Sequence, residues 1–170
     1  MKYFTDKLWT QMNQGSFEDQ EQAHLQWTEN NQAYNELYPQ LQNRLSRKVY
    51  DHFKTKGFHD YRLKSVDVKH SDYGVLNPVE VTVTMTNDIE EWNITFKKIK
   101  KLELKFECGE SEFEQRRGFD DWGYNEILIV DDDTLSFEVL FASGATILIH
   151  FKNKQAFWRI QYKKVYCEQY

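Results

Sequence analysis

The hydrophobic rhythm of this chain changes once, near Gly57, and that change restricts its fold more than any other feature. Before it, apolar residues recur every three, four or seven positions: Phe4, Leu8, Trp9 and Met12, then Trp27, Tyr34, Tyr38, Leu41, Leu45, Val49 and Phe53. That spacing gathers them on one face of a helix. After it they alternate, with Val79, Val81, Val83 and Met85 between Glu80, Thr82, Thr84 and Thr86. Alternation is the pattern of a strand with one buried side. In a chain of 170 residues, the switch predicts a single α+β domain, helical over 1–57 and mainly β over 58–170.

Local signals divide the helical part. Thr5 is a cap and Gly15 a stop for a helix over 4–13, and Ser16 opens a polar helix over 16–37 with acids in its first turn. Pro39 cannot donate a backbone N–H, so a kink or a fresh start is expected there. Ser46 caps a last short helix through His52 and Phe53, closed by Gly57. Two or three helical pieces follow from these signals.

Strands are expected around Tyr61–Val68, at Val79–Met85, over Trp92–Phe96 and Leu102–Phe106, and in the runs Leu135–Phe141, Ile147–Phe151 and Trp158–Tyr162. Strict alternation through Lys97-Lys98-Ile99-Lys100-Lys101 would turn lysines inward, so a turn or bulge with Ile99 facing in is expected. Ser143-Gly144 signals a hairpin. Six or seven strands without helical crossovers predict a largely antiparallel sheet, with the N-terminal helices packed on one face. The segment 107–126 reads as the longest irregular stretch.

Composition narrows the function classes. A formal charge of −5 disfavours general nucleic-acid binding. The N-terminus carries Lys2, Asp6 and Lys7 where a signal peptide needs an apolar run, and no stretch has the length of a membrane span. A cytoplasmic address follows as the expectation, with Cys108 and Cys167 as reduced thiols. No phosphate loop, nucleophile elbow or other cofactor motif occurs, so no cofactor is expected.

Five constellations remain. His59-Asp60 could ligate a metal or polarise water, or be a turn in which Asp60 accepts backbone N–H groups. Asp131-Asp132-Asp133 lacks the spacing of a calcium loop and reads as a solvated turn. Gly118-Phe119-Asp120-Asp121-Trp122-Gly123-Tyr124 sets two acids among aromatic rings. It either presents a binding surface, with Asp120, Asp121, Trp122 and Tyr124 as candidates, or plugs the core with Phe119 and Trp122; the two readings are compatible. From Glu107 to Asp133 ten acids face only Arg116 and Arg117, a bias that fits either a docking surface for a basic protein partner or a solvated acidic loop. Lysines at 97–105, with Lys152, Lys154, Arg159, Lys163 and Lys164, fit either edge-strand protection or, together with Phe157 and Trp158, stacking on single-stranded RNA.

The opening Met1-Lys2-Tyr3-Phe4-Thr5 and the later Phe58-His59-Asp60-Tyr61-Arg62-Leu63 resemble a family of uncharacterised small cytosolic proteins of Gram-positive bacteria. Trp122-Gly123-Tyr124-Asn125-Glu126-Ile127 and Phe141-Ala142-Ser143-Gly144-Ala145-Thr146-Ile147 are similar to segments of small immunity-like proteins, which neutralise partner toxins. The missing catalytic constellation, the mildly acidic chain and the acidic aromatic loop at 118–126 lead to the expectation of a non-enzymatic protein-binding domain, and the resemblance adds an immunity-like inhibitor of a basic partner as one form of it. The alternatives are a metal-dependent hydrolase using His59 and Asp60, with carboxylates from 120–133 as candidate further ligands, and small-molecule binding between helices and sheet.

Overall fold

A computed structural model describes residues 1–152 and 158–164. The helical part begins with α1 (Asp6–Gln14) and α2 (Phe17–Leu37), continues through a 3-10 turn at Tyr38–Leu41, and ends with α3 (Arg47–Thr55). Each start has the expected cap. The Thr5, Ser16 and Ser46 side chains accept from the N–H groups of Leu8, Asp19 and Val49, and Asp19 returns the bond to Ser16 as a capping box. Pro39 falls in the 3-10 turn, where its missing N–H breaks nothing. Gly57 lies beyond α3 at φ +58°, a conformation that a side chain would strain.

The β part comprises β1 (Arg62–His70), β2 (Val79–Thr86), β3 (Glu90–Lys97), β4 (Ile99–Lys105), β5 (Trp122–Asp131), β6 (Thr134–Phe141), β7 (Thr146–Lys152) and β8 (Trp158–Lys164). All pairings are antiparallel. The expected single sheet is divided in two: β1-β2-β3-β8 and β4-β7-β6-β5, each of four strands. The division falls at Lys98, the sole residue between β3 and β4, which sits at φ +54°. The reversal anticipated in the lysine run is therefore the place where the chain changes sheets. Ile99 beyond it packs against the core, and a bulge separates Ile99 from Lys101.

The count also differs, because 107–126 is not irregular throughout. It holds a short helix α4 (Glu112–Arg117) and the first half of β5. β5 escapes an alternation rule for a physical reason: a bulge lies between Trp122 and Tyr124, and its other face is also covered, burying the carboxylate of Glu126 to 1% exposure.

Among the described residues a hydrophobic cluster joins both sheets and the helical part. Val81, Val83, Met85, Ile94 and Phe96 of one sheet join Ile127, Leu135, Phe137, Val139, Ile147, Ile149 and Phe151 of the other, all buried. Phe96 packs its ring against Phe137 and Phe151 across the two sheets. Leu41, Leu45, Val49 and Phe58 complete this core from the helical side. The opposite side of β5 and β6 carries Tyr124, Glu126 and Glu138, because side chains alternate along a strand. There the N-terminal helices provide the cover, with Phe4, Trp9 and Trp27 against Tyr124. Among the described residues, no helix is long and apolar enough to cross a membrane.

Glu126 is central to that cover. Its carboxylate accepts the backbone N–H groups of Lys2, Tyr3 and Phe4 at 2.7, 2.6 and 2.7 Å. Glu138, directly across the ladder, meets the Met1 ammonium at 2.5 Å. The Tyr34 hydroxyl accepts from the Ile127 N–H at 2.9 Å, so α2 also satisfies the outer backbone of β5.

Candidate functional site

The 118–124 loop is built by α4 and the start of β5. Gly118 at φ +59° ends α4, and Asp120 at φ +62° turns the chain toward β5. The structure removes Trp122 from any exposed surface. It is 1% exposed, with Phe58, Phe137 and Phe141 around its ring and its Nε1 donating to Asn125. A large apolar ring gains more from a core position than from a loop tip, which is why it plugs the core together with Phe119, seated on Phe141.

The two acids of the loop are engaged as well. Arg117 grips the Asp120 carboxylate through two nitrogens, and Arg62 stands 3.6 Å from Asp121. With Arg116 nearby, the loop lines a depression holding three arginines and two aspartates. The acidic stretch seen along the sequence is thus neutralised in space at its centre. Arg62, remote in sequence, supplies part of that charge.

Tyr124 occupies a different setting. Its ring is surrounded by Phe4, Trp9, Trp27 and His59, the Trp27 centroid lying 4.4 Å away. Burial pushes its hydroxyl pKa up. It forms one wall of an open cleft of about 290 Å³ where α2, the end of α3 and the start of β5 meet. Trp27 and Phe53 supply further apolar walls, and Asn31, Asn35, Asn125, Lys56 and His59 supply polar groups. Asn35 reaches Asn31 at 3.4 Å, a weak contact that an incoming group can replace.

His59 and Asp60 sit in the turn that precedes β1, not within the strand. Their side chains meet each other, His59 Nδ1 to Asp60 Oδ1 at 2.8 Å, instead of pointing to opposite faces. Asp60 at φ +65° donates its N–H to the Trp122 carbonyl, anchoring the turn to β5. The hydrolase alternative needs at least three ligand-type side chains converging. Among the described residues no group of three His, Cys, Asp or Glu is arranged to hold a metal ion, and Asp131–Asp133 close a turn at the far end of β5.

Another polar cluster escaped sequence reasoning. The Glu90 carboxylate accepts from the Tyr61 hydroxyl at 2.5 Å, Lys56 Nζ at 2.9 Å and Trp92 Nε1 at 2.9 Å. These donors hold its carboxyl down to about 2, with Tyr61 the largest influence. The cluster ties the end of α3 and the start of β1 to β3. His52 lies beside it, its ring on Phe58 and Trp92 and its Nε2 buried without a hydrogen-bond partner among the described residues; burial lowers its pKa. No local motif announces this group, because its members are dispersed over α3, the start of β1 and β3.

One signal was available and missed. Helix α2 carries Glu18, Asp19, Glu21, Glu29 and Glu36 and neither Lys nor Arg. The helix that walls the cleft with Trp27, Asn31, Tyr34 and Asn35 therefore carries acids without bases, while the acids of the loop stand beside arginines. The lysines resolve differently: β4 is a sheet margin, and its Lys101 and Lys105 pair with Glu103 and Glu107, as in edge protection. Cys108 is an exposed free thiol, while Cys167, Lys154 and Phe157 lie outside the described residues. Comparison of the chain with models of protein families and with curated proteins finds no match.

Proposed function

We propose that this chain is a non-enzymatic protein-binding domain, and that a basic partner docks on α2 with a side chain inserted in the cleft beside Tyr124. The observation that carries the reading is the juxtaposition of a helix with acids but no Lys or Arg and an aromatic, amide-lined cleft too small for most cofactors. Arg or Lys suits such a place: its stem lies on the rings, its charge meets π faces and carbonyl oxygens, and the acids of α2 speed the encounter. Asp60, its side chain 77% exposed, adds a carboxylate at the rim. An inhibitor of the immunity-like kind is the form of this function that the sequence resemblance favours.

The reading moves the binding site from the loop to the cleft, retaining Tyr124 and exchanging Asp120, Asp121 and Trp122 for Asn31, Asn35 and the α2 carboxylates. The test is capture from the source lysate with three baits: wild type, Asn31→Arg/Asn35→Arg and Asp121→Lys. A basic protein retained by wild type and Asp121→Lys, but depleted about tenfold or more by the cleft variant, is the expected result. Equal recovery on all three baits contradicts the proposed site.

A further inference from the structure

Four strands lie at sheet margins: β1 and β8 in one sheet, β4 and β5 in the other. Three are occupied or guarded. β5 is closed by Tyr34 and the N-terminal segment, β8 lies against α3, and β4 is bulged and lysine-bearing. Along Ser65–His70 β1 has, among the described residues, no covering segment and no bulge, and its single lysine there, Lys69, stands two residues from Asp67 on the same side. It pairs with β2 on one side only, and its bulge lies at its beginning, between Leu63 and Ser65.

The ladder fixes what that margin offers. The Ser71 N–H donates to the Pro78 carbonyl at 2.9 Å, and Lys69 and Asp67 follow with the same parity. Their backbone groups face β2, so those of Val66, Val68 and His70 face away, without a partner among the described residues. Side chains alternate on the same count. Val66 packs on the core, and Val68, 54% exposed, extends that apolar side past the last strand. Asp67 and Lys69 lie on the other side, and neither has an ion-pair partner among the described residues.

We infer that β1 is a self-association edge, which takes β1 of a second copy antiparallel and joins two four-stranded sheets into one continuous sheet. Two-fold symmetry and backbone parity restrict the register. Outward-facing Val66, Val68 and His70 must meet one another for their N–H and C=O groups to pair. Centring on Asp67 opposes two carboxylates. Centring on Val66 sets Lys69 against Leu63 and leaves Asp67 facing Ser65. Centring on Val68 places Val68 on Val68, Val66 on His70, and Asp67 of each copy opposite Lys69 of the other. Only this last register satisfies both charges, twice by symmetry, while continuing the apolar side. The occupant is therefore a second copy: the edge is complementary to itself.

Sedimentation equilibrium over a concentration series tests the inference on wild type, Asp67→Lys, Lys69→Asp and the double swap Asp67→Lys/Lys69→Asp, each checked for folding by circular dichroism. The expected result is a reversible wild-type dimer, a dissociation constant raised about tenfold or more in either single reversal, and recovery in the double swap. The two single variants reverse the same pair, so either suffices if the other fails to fold. A wild-type monomer up to high concentration overturns the inference, including when another protein's strand is found to bind there. A dimer that tolerates the reversals, or one the double swap does not restore, overturns it equally. The cleft variant Asn31→Arg/Asn35→Arg lies on another element and leaves this equilibrium unchanged, which separates this inference from the proposed partner site.

Discussion

The outer edges of β5 and β1 are of similar length, and the chain treats them in opposite ways. At β5 the Ile127 N–H reaches the Tyr34 hydroxyl, and Glu126 gathers the N–H groups of Lys2, Tyr3 and Phe4 over its outer side. At β1 the outward backbone of Val66, Val68 and His70 meets nothing among the described residues. A sheet margin is a row of donors and acceptors that must be satisfied somewhere. Here one margin has its Ile127 N–H tied to α2 and the N-terminal segment fixed over the adjoining face, while the other has no such tie among the described residues.

The sharpest way to break that contrast is Glu126→Ala. It leaves three backbone donors without their acceptor under a well-packed layer, and a loss of about 2–4 kcal/mol in urea unfolding is expected. Asp67→Asn, the matching removal of a carboxylate at the open edge, is expected to change monomer stability by no more than about 0.5 kcal/mol.

Glu90→Gln asks whether the helices are held to the β1–β3 sheet as firmly as to the other. Loss of the charge-assisted bonds from Tyr61, Lys56 and Trp92 is expected to cost about 1–3 kcal/mol. The pH dependence has a definite sign. The folded carboxyl titrates near 2, below its ordinary 4.5, so the unfolded chain takes up this proton first. The contribution is complete above the ordinary value and is lost as pH falls from about 4.5 toward 2. Wild type should show that acid-side loss, and Glu90→Gln should flatten it.

The smaller effect is Tyr34→Phe. It keeps the ring contacts with Tyr3, Phe4 and Tyr38 and removes only the acceptor for Ile127, so a cost of about 1–2 kcal/mol is expected. An unchanged stability would mean that α2 covers β5 by ring packing alone.

The contrast also explains what was legible in the sequence. Helix starts were readable because a cap is a local event: Thr5, Ser16 and Ser46 act within three residues of themselves. Val79–Met85 was readable because its alternation is unbroken. β5 was not, since the group that lets Glu126 be buried arrives from residues more than 120 positions away. The lysine run at 97–101 announced an irregularity, but its consequence, a change of sheet at Lys98, depends on how the two sheets pack. The acids at Asp120 and Asp121 looked free because Arg62 is distant in sequence. Tyr124 and His59 were singled out separately, and only the fold brings them to 5.5 Å in one cleft.

Amide hydrogen exchange resolved to single residues, run at two widely separated protein concentrations, tests the unequal edges most directly. The Ile127 amide should be strongly protected at both concentrations. The amides of Val66 and Val68 should exchange rapidly when dilute and slow markedly when concentrated. Rapid exchange at Ile127, or equal protection at Val66 and Val68 in the dilute sample, would contradict the account.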